Sequence, residues 1–265
     1  MVRFDKRKDN ELRKIKFTKN YLSHPMSSVL VEFGGTKVIC SISIKDSVPG
    51  WMRAQKVAGG WITAEYGMLP PSTHNRVDRE AARGKQSGRT VEIQRLIGRS
   101  FRSVIDLKAL GQNTVYIDCD VIDADGGTRC ASITGASVAL QLAFDKMVKW
   151  GKIDKNPMKE NVVAISVGML NNRPILDLCY DEDSKAEVDM NVIMTESGKF
   201  IELQGTAEEN PFSYEEMQQM IALAQDGAKT ILNLQKKTIK PQGKNAPRKG
   251  EGIGSLNDAF EDFSV

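Results

Sequence analysis

The sequence predicts a mixed α/β protein, and three observations carry that prediction. Short β-branched segments dominate the stretch from Ile15 to Tyr66 and return at 114–122, 161–179 and 188–206. Three longer stretches, 89–107, 132–150 and 213–236, repeat their apolar residues with a helical period. No unit recurs at the spacing of a solenoid repeat. Strands, helix, strand, helix, strands and a last helix is the order of mixed sheets covered by helices.

Residues up to Asn20 are charged and polar, with Leu12, Ile15 and Phe17 leading into a first strand. The runs 28–32 (SVLVE) and 36–44 (TKVICSISI) flank Phe33-Gly34-Gly35, a tight connection that predicts a β-hairpin. The stretch 45–60 is irregular, 61–66 (WITAEY) resumes a strand, and 72–85 is a polar, basic, exposed loop. In 89–107, Ile93, Leu96, Ile97, Phe101, Val104 and Ile105 share one helix face, while Arg95, Arg99 and Arg102 share the opposite one within roughly 60°. Segment 114–122 alternates as a strand, and the helix at 132–150 has apolar coverage broad enough for deep burial. Two further hairpins are predicted, 161–169 with 173–179 across Asn171-Asn172, and 188–194 with 200–206 across Ser197-Gly198. Ser213 opens the last helix with the capping sequence SYEE. From Lys237 onward the period is lost. The chain therefore divides into a folded domain, 1–236, and a tail, 237–265, basic and then acidic, expected to be disordered.

Composition narrows the function classes. Hydrophobic content of 40% with 27% charged residues is that of a soluble globular protein. No membrane span is expected, and the charged opening MVRFDKRKDNELRK lacks the apolar core of a secretory signal, so the cytoplasm is the default location. Cys40, Cys119, Cys130 and Cys179 are scattered, without a C-x-x-C pair and with only His24 and His74 as companions. That spacing argues for reduced, buried thiols rather than a zinc site. The net charge of +3 announces no nucleic-acid partner, but its distribution is uneven. Arginines crowd between Arg76 and Arg102, and acids between Asp177 and Asp189.

Three segments carry chemistry. In DCDVIDADGGTR, from Asp118 to Arg129, a strand turns through two glycines into a helix, which offers backbone N–H groups and a helix dipole to a phosphate. The same sequence also suits a plain strand-to-helix turn. Five carboxylates fall between Asp181 and Asp189, where Asp183 and Asp189 could converge on Mg²⁺ or Mn²⁺; a solvated acidic turn fits the segment as well. The arginine face of 89–107 is either an anion rail or an ordinary solvated face. The chain has neither G-x-x-x-x-G-K-[ST] nor G-x-G-x-x-G, so nucleoside triphosphate use is not indicated.

The blocks GWITAEYGMLP, GRTVEIQRLIGRSFR, DCDVIDADGGTR, EDSKAEVDMNVIMT and ELQGTAEENPFS occur in that order and together resemble the ribonuclease PH family of bacteria over about residues 3 to 235. The resemblance implies the βαβα fold of the PH exoribonucleases. It further implies a phosphorolytic 3′-to-5′ exoribonuclease, or tRNA nucleotidyltransferase, that trims precursor tRNA and assembles as a homohexameric ring, a trimer of dimers. Carried over by motif, Arg89, Gly127, Thr128 and Arg129 bind phosphate, the co-substrate. Asp183 and Asp189 form the acidic pair that supports catalysis through Mg²⁺ or Mn²⁺, and Arg95, Arg99 and Arg102 are candidates for RNA contacts. The loop 73–83 is similar to the family's subunit-contact region. Two positions depart from the family: Asp5-Lys6-Arg7 stands for the usual Asp-Gly-Arg, which puts the local turn in question, and Ser27 replaces a glycine. Two other function classes remain open at this stage, a non-catalytic RNA-binding subunit of an exosome-like ring and a hydrolytic metal-dependent nuclease.

Overall fold

The computed structural model describes residues 3–208 and 210–240. The first sheet begins as an antiparallel meander of β1 (Ile15–Lys19), β2 (Ser27–Phe33) and β3 (Thr36–Lys45). Gly34 takes the left-handed conformation at the β2–β3 turn, with φ 56°, which a side chain resists. Alternation puts Val29, Val31, Phe33, Val38, Cys40 and Ile42 inside, all fully buried. After the short helix α1 (Gly50–Ala54), β4 (Trp61–Met68) leads through α2 (Glu80–Arg83) and α3 (Gly88–Val104) to β5 (Thr114–Asp123), which runs parallel to it. The sheet order is β1-β2-β3-β5-β4.

Helix α4 (Thr128–Lys149) leads to the second, antiparallel sheet of β6 (Val162–Leu170), β7 (Arg173–Leu176), β8 (Val188–Thr195) and β9 (Phe200–Ala207), in the order β7-β6-β8-β9. A one-turn helix, α5 (Tyr180–Asp183), separates β7 from β8, and α6 (Tyr214–Ile239) follows β9. Asn171 and Asn172 both have positive φ and make the β6–β7 turn, as the Asn-Asn pair predicts. Ser213 and Glu216 form the expected capping box at the start of α6.

Helix α4 is buried on almost all sides because it lies on β2 and β3 of one sheet and against β6 of the other. Small residues allow this double contact: a Cβ on Gly135 would sit 2.6 Å from Val31 Cγ1 and 2.8 Å from Cys40 Sγ. Its hydroxyls also complete the open edge of β6, where β7 no longer pairs. Val162 N–H donates to Ser137 Oγ (3.0 Å), Ala164 N–H donates to Thr134 Oγ1 (3.0 Å), and Gln235 of α6 donates to the carbonyl of Val162 (2.9 Å). Ser27, at the position where glycine was expected, donates to the carbonyl of Ala139 at 2.6 Å and ties β2 to α4. The four cysteines are free and buried.

Several boundaries differ from the sequence reading. Helix α3 stops at Val104, since Ile105 bridges to Met158. Helix α4 starts at Thr128, directly on the glycines. The strand predicted to run to Cys179 ends at Leu176, because Asp177 turns to φ 55°. The last helix continues to Ile239, three residues into the stretch assigned to the tail. The expectation for 241–265 lies outside the described residues. No described helix is long and apolar enough to cross a membrane.

Candidate active site

Strand β5 delivers the chain to Asp125, and Gly126 and Gly127 follow with φ of 73° and 66°. Gly127 is the N-cap of α4, and no side chain caps that helix, so its first-turn amides face outward with the positive end of the dipole. The carbonyls on the other side of the loop are occupied. Thr36 Oγ1 donates to the Gly126 carbonyl (2.7 Å) and accepts from Asp125 N–H (2.8 Å), and Arg13 donates to the Asp125 carbonyl. With its carbonyls tied back, the loop presents N–H groups to the cleft.

Gly126 is required for a second reason. A Cβ there would lie 2.7 Å from the Leu178 carbonyl oxygen and 2.9 Å from Tyr180 N. The absence of a side chain thus lets the acidic segment lie backbone against backbone on the glycine loop, and Tyr180 N–H donates to Asp125 Oδ1 at 3.2 Å.

The acidic segment holds buried carboxylates paired with arginines and, beside them, the candidate pair Asp183 and Asp189. Asp177 and Glu182 are buried and held by arginines from the N-terminal arm. Arg13 bonds both oxygens of Asp177 (2.7 and 3.1 Å), and Arg3 bonds both oxygens of Glu182 (2.6 and 2.7 Å). Arg7 adds a bond to the Asp177 carbonyl at 3.0 Å. Burial works against ionised Glu182, but the hydrogen bonds from Arg3 and Cys179 N–H and the charges of Arg3 and Arg7 hold it below the usual range. Glu187 accepts from the Asn172 amide. Of the five carboxylates read as one acidic cluster, Glu182 is therefore part of the scaffold and Glu187 holds a turn amide, while Asp183 and Asp189 feel the charges of Arg89 and Arg129.

Asp183 closes α5, and Asp189 lies near the start of β8, paired across to Gly168 and Thr206. The cleft walls push the Asp183 carboxyl up by removing water, against the pull of Arg89 and Arg129. Burial, then the charge of Asp183, pushes Asp189 up to about 6. Asp189 Oδ2 accepts from Asn191 Nδ2 at 3.4 Å, while Oδ1 is buried without a hydrogen-bond partner.

Arg129, on the first turn of α4, is oriented by two residues that sequence reasoning missed. Its Nη1 donates to Gln204 of β9 and lies 3.4 Å from Glu92 of α3, and Gln204 Nε2 donates to that same Glu92 oxygen at 3.0 Å. Arg89 stands on the first turn of α3, which Ser87 caps, and Glu80 of α2 fastens this start by accepting from Thr90 Oγ1 at 2.7 Å. Arg89 is exposed and makes no hydrogen bond or ion pair among the described residues, yet its charge acts on both Asp183 and Asp189. A cleft of about 470 Å³ brings Arg89, Gly126, Gly127, Thr128 and Asp183 together, with Met68, Val77, His74 and Tyr180 in its walls. Thr128 is buried, and its hydroxyl pairs with the Tyr66 hydroxyl at 2.9 Å, so the amide rather than the side chain is left for an anion.

The arginine face of α3 is not a uniform free rail. Arg95 is exposed, Arg99 bonds both oxygens of Glu202 (2.9 and 3.2 Å), and Arg102 lies 5.0 Å over the Trp61 ring and donates to the Ile62 carbonyl at 2.9 Å. Two other carboxylates of DCDVIDADGGTR have partners or neighbours of their own on the first sheet. Asp118 stands opposite Glu65 on the paired strands and is pushed up to about 6 by burial and by Glu65, and Asp123 pairs with Lys37 at 3.3 Å. Lys6 adopts φ 66°, the conformation a glycine takes without cost, at the position where glycine was expected.

Among the described residues, no three His, Cys, Asp or Glu side chains gather as a closed metal set. Asp183 and Asp189 form an open pair instead. Their hard oxygens, with the unpartnered Oδ1 of Asp189, fit a divalent ion such as Mg²⁺ that keeps most of its positions for water and phosphate.

The model of the 3′ exoribonuclease family, domain 1, matches residues 11–144, and that of domain 2 matches residues 160–227. Among solved structures, rice (Oryza sativa) Rrp46 is similar over 90% of this chain and 100% of its own, at 20% identity and a TM-score of 0.73. A chain of the Archaeoglobus fulgidus exosome with RNA bound to the active site is similar over 90% and 93%, at 17% identity and 0.75. An archaeal exosome core chain is similar over 89% and 91%, at 18% identity and 0.71. At these identities the likeness is one of fold, and the mixed α/β architecture is the ribonuclease PH-like one of exosome subunits.

Proposed function

Because this chain belongs to the 3′ exoribonuclease family, we propose that it shortens RNA from the 3′ end by phosphorolysis, with inorganic phosphate as co-substrate. The observation that carries the reading is the single cleft that joins the uncapped start of α4, Arg89 and Asp183. Phosphate would be held by the amides of Gly127 and Thr128 and by the guanidinium groups of Arg89 and Arg129. One of its oxygens attacks the phosphorus of the terminal phosphodiester in line. The bond from phosphorus to the 3′ oxygen breaks, that oxygen takes up a proton, and a nucleoside diphosphate leaves. No covalent enzyme intermediate is needed. Asp183 and Asp189 would hold Mg²⁺ or Mn²⁺, whose charge, when bound, offsets that on the reacting phosphates.

The resemblance to bacterial ribonuclease PH supports precursor tRNA as the RNA, a homohexameric ring as the assembly and the cytoplasm as the location. Arg95, exposed on α3, with Arg99 and Arg102 beside it, is proposed for the RNA backbone. The likeness to exosome chains favours a second reading, an RNA-binding ring subunit without activity. Arg89, Arg129, Asp183 and Asp189 together favour the catalytic one. A 3′-extended RNA incubated with the protein, Mg²⁺ and labelled phosphate should place label in nucleoside diphosphate. Unlabelled monophosphate would indicate hydrolysis, and intact RNA would indicate the inactive subunit.

A further inference from the structure

We infer that Tyr180 and His74 form the seat of the 3′-terminal nucleobase, an assignment that rests on the phosphorolytic reading above. Both rings line the cleft that holds Arg89, the glycine loop and Asp183. Their centroids are 5.7 Å apart with planes inclined at 53°, so they make an open angle rather than a closed stack. Tyr180 is 52% exposed, so its ring is open to a ligand in the cleft. The ring belongs to neither apolar core of the protein, so burial in the fold does not account for it.

The backbone of Tyr180 is fixed where a substrate needs it. Its N–H is bonded to Asp125, and Gly126 touches that same nitrogen closely enough to exclude a Cβ. The ring therefore stands one residue contact from the amides proposed for phosphate. Tyr180 and Asp183 begin and end the same one-turn helix, which gives ring and carboxylate a rigid common base. Met68 and Val77 add apolar surface to the cleft, suited to the flat face of a base. Stacking on an aromatic face accepts every base, as an enzyme that removes successive nucleotides requires.

The test is steady-state phosphorolysis of short RNAs, with RNA and phosphate varied separately. Tyr180→Leu should raise the KM for RNA about 10-fold or more, the scale of base-to-aromatic stacking, and leave the KM for phosphate unchanged. Tyr180→Phe should restore the RNA value. An RNA whose last nucleotide lacks its base should lose the same factor with the unaltered protein and lose nothing further with Tyr180→Leu, because the two changes remove one contact. Additive losses, or an unchanged KM for RNA, would overturn the assignment. Should Tyr180→Leu not fold, His74→Leu and the abasic RNA on the unaltered protein decide the matter. If the unaltered protein releases no nucleoside diphosphate, it is the phosphorolytic reading that fails. Equilibrium binding of intact against abasic RNA then still reports on the seat: equal affinity rejects it.

Discussion

Arg13 grips both carboxylate oxygens of Asp177, at 2.7 and 3.1 Å, and with its remaining nitrogen reaches the carbonyl of Asp125 in the glycine loop. One buried guanidinium thus spans the acidic segment and the glycine loop. Arg13→Met should destabilise the protein by about 3 kcal/mol, because buried Asp177 keeps only the backbone N–H of residue 13, at 2.7 Å, and Arg7, at 3.5 Å. Asp177→Leu added to it should recover much of that loss. Urea denaturation of the single and double variants measures both.

Gly126→Ala combines a left-handed backbone with a backbone collision, since the new methyl would lie 2.7 Å from the Leu178 carbonyl oxygen. The conformation alone costs about 1–2 kcal/mol. Displacement of residues 178–180 should also move Asp183 and lower turnover. A variant of unchanged stability and turnover would contradict the backbone contact.

Arg89→Ala should raise the KM for phosphate by about 10- to 100-fold, the worth of a hydrogen bond to a charged group. Gln204→Ala frees the Arg129 guanidinium without removing its charge, so a smaller rise in the same constant is expected, with the RNA constant unmoved. Initial rates against phosphate concentration separate the two.

Asp189, pushed up to about 6 by burial and by Asp183, sets a pH dependence of defined sign. In metal-free protein the folded state holds this proton more tightly than the unfolded chain, whose carboxylate titrates near 4. Its contribution therefore falls as pH rises from about 4 to 6 and is constant above that. Asp189→Asn should remove this dependence, raise stability at pH 7 in EDTA by on the order of 1–3 kcal/mol, and abolish turnover. Thermal unfolding across pH checks the first two expectations and the phosphorolysis assay the third.

Lys6→Gly should stabilise the protein by about 1 kcal/mol, the relief of a left-handed residue less the added freedom of glycine. Lys6 is exposed and lies between Arg3 and Arg7, so both arginine contacts should survive the change. A lowered midpoint in thermal denaturation would contradict it.

The strands and long helices were legible because each buries one face and so writes its period into the sequence. Phe101, fully buried, falls on the face that the period of 89–107 predicts, whereas Phe33, read as part of the hairpin connection, is the last buried residue of β2. The glycine loop was legible as a turn and Asp183 with Asp189 as a possible metal pair, and resemblance added the expected roles of Arg89 and Arg129. The arm was not legible: Arg3, Arg7 and Arg13 lie in a polar stretch without period, and the buried carboxylates they reach, Asp177 and Glu182, are more than 160 positions away. Gln204 and Glu92 were hidden for the same reason, since a hydrogen bond between β9 and α3 leaves no local pattern. The one-turn helices α1, α2 and α5 are too short to show a period at all.

The arm has a temporal consequence. Arg3 and Glu182 are 179 positions apart, and Arg13 and Asp177 are 164 apart. During synthesis the arginines emerge first and wait roughly 10 to 30 s for their carboxylates, at ribosomal speeds of about 5–20 residues per second. The first sheet can form in that interval, but the cleft cannot, because Asp183 is positioned only after the arm closes on the second half. A nascent chain halted before α5 would therefore carry the glycine loop but neither acid of the candidate pair.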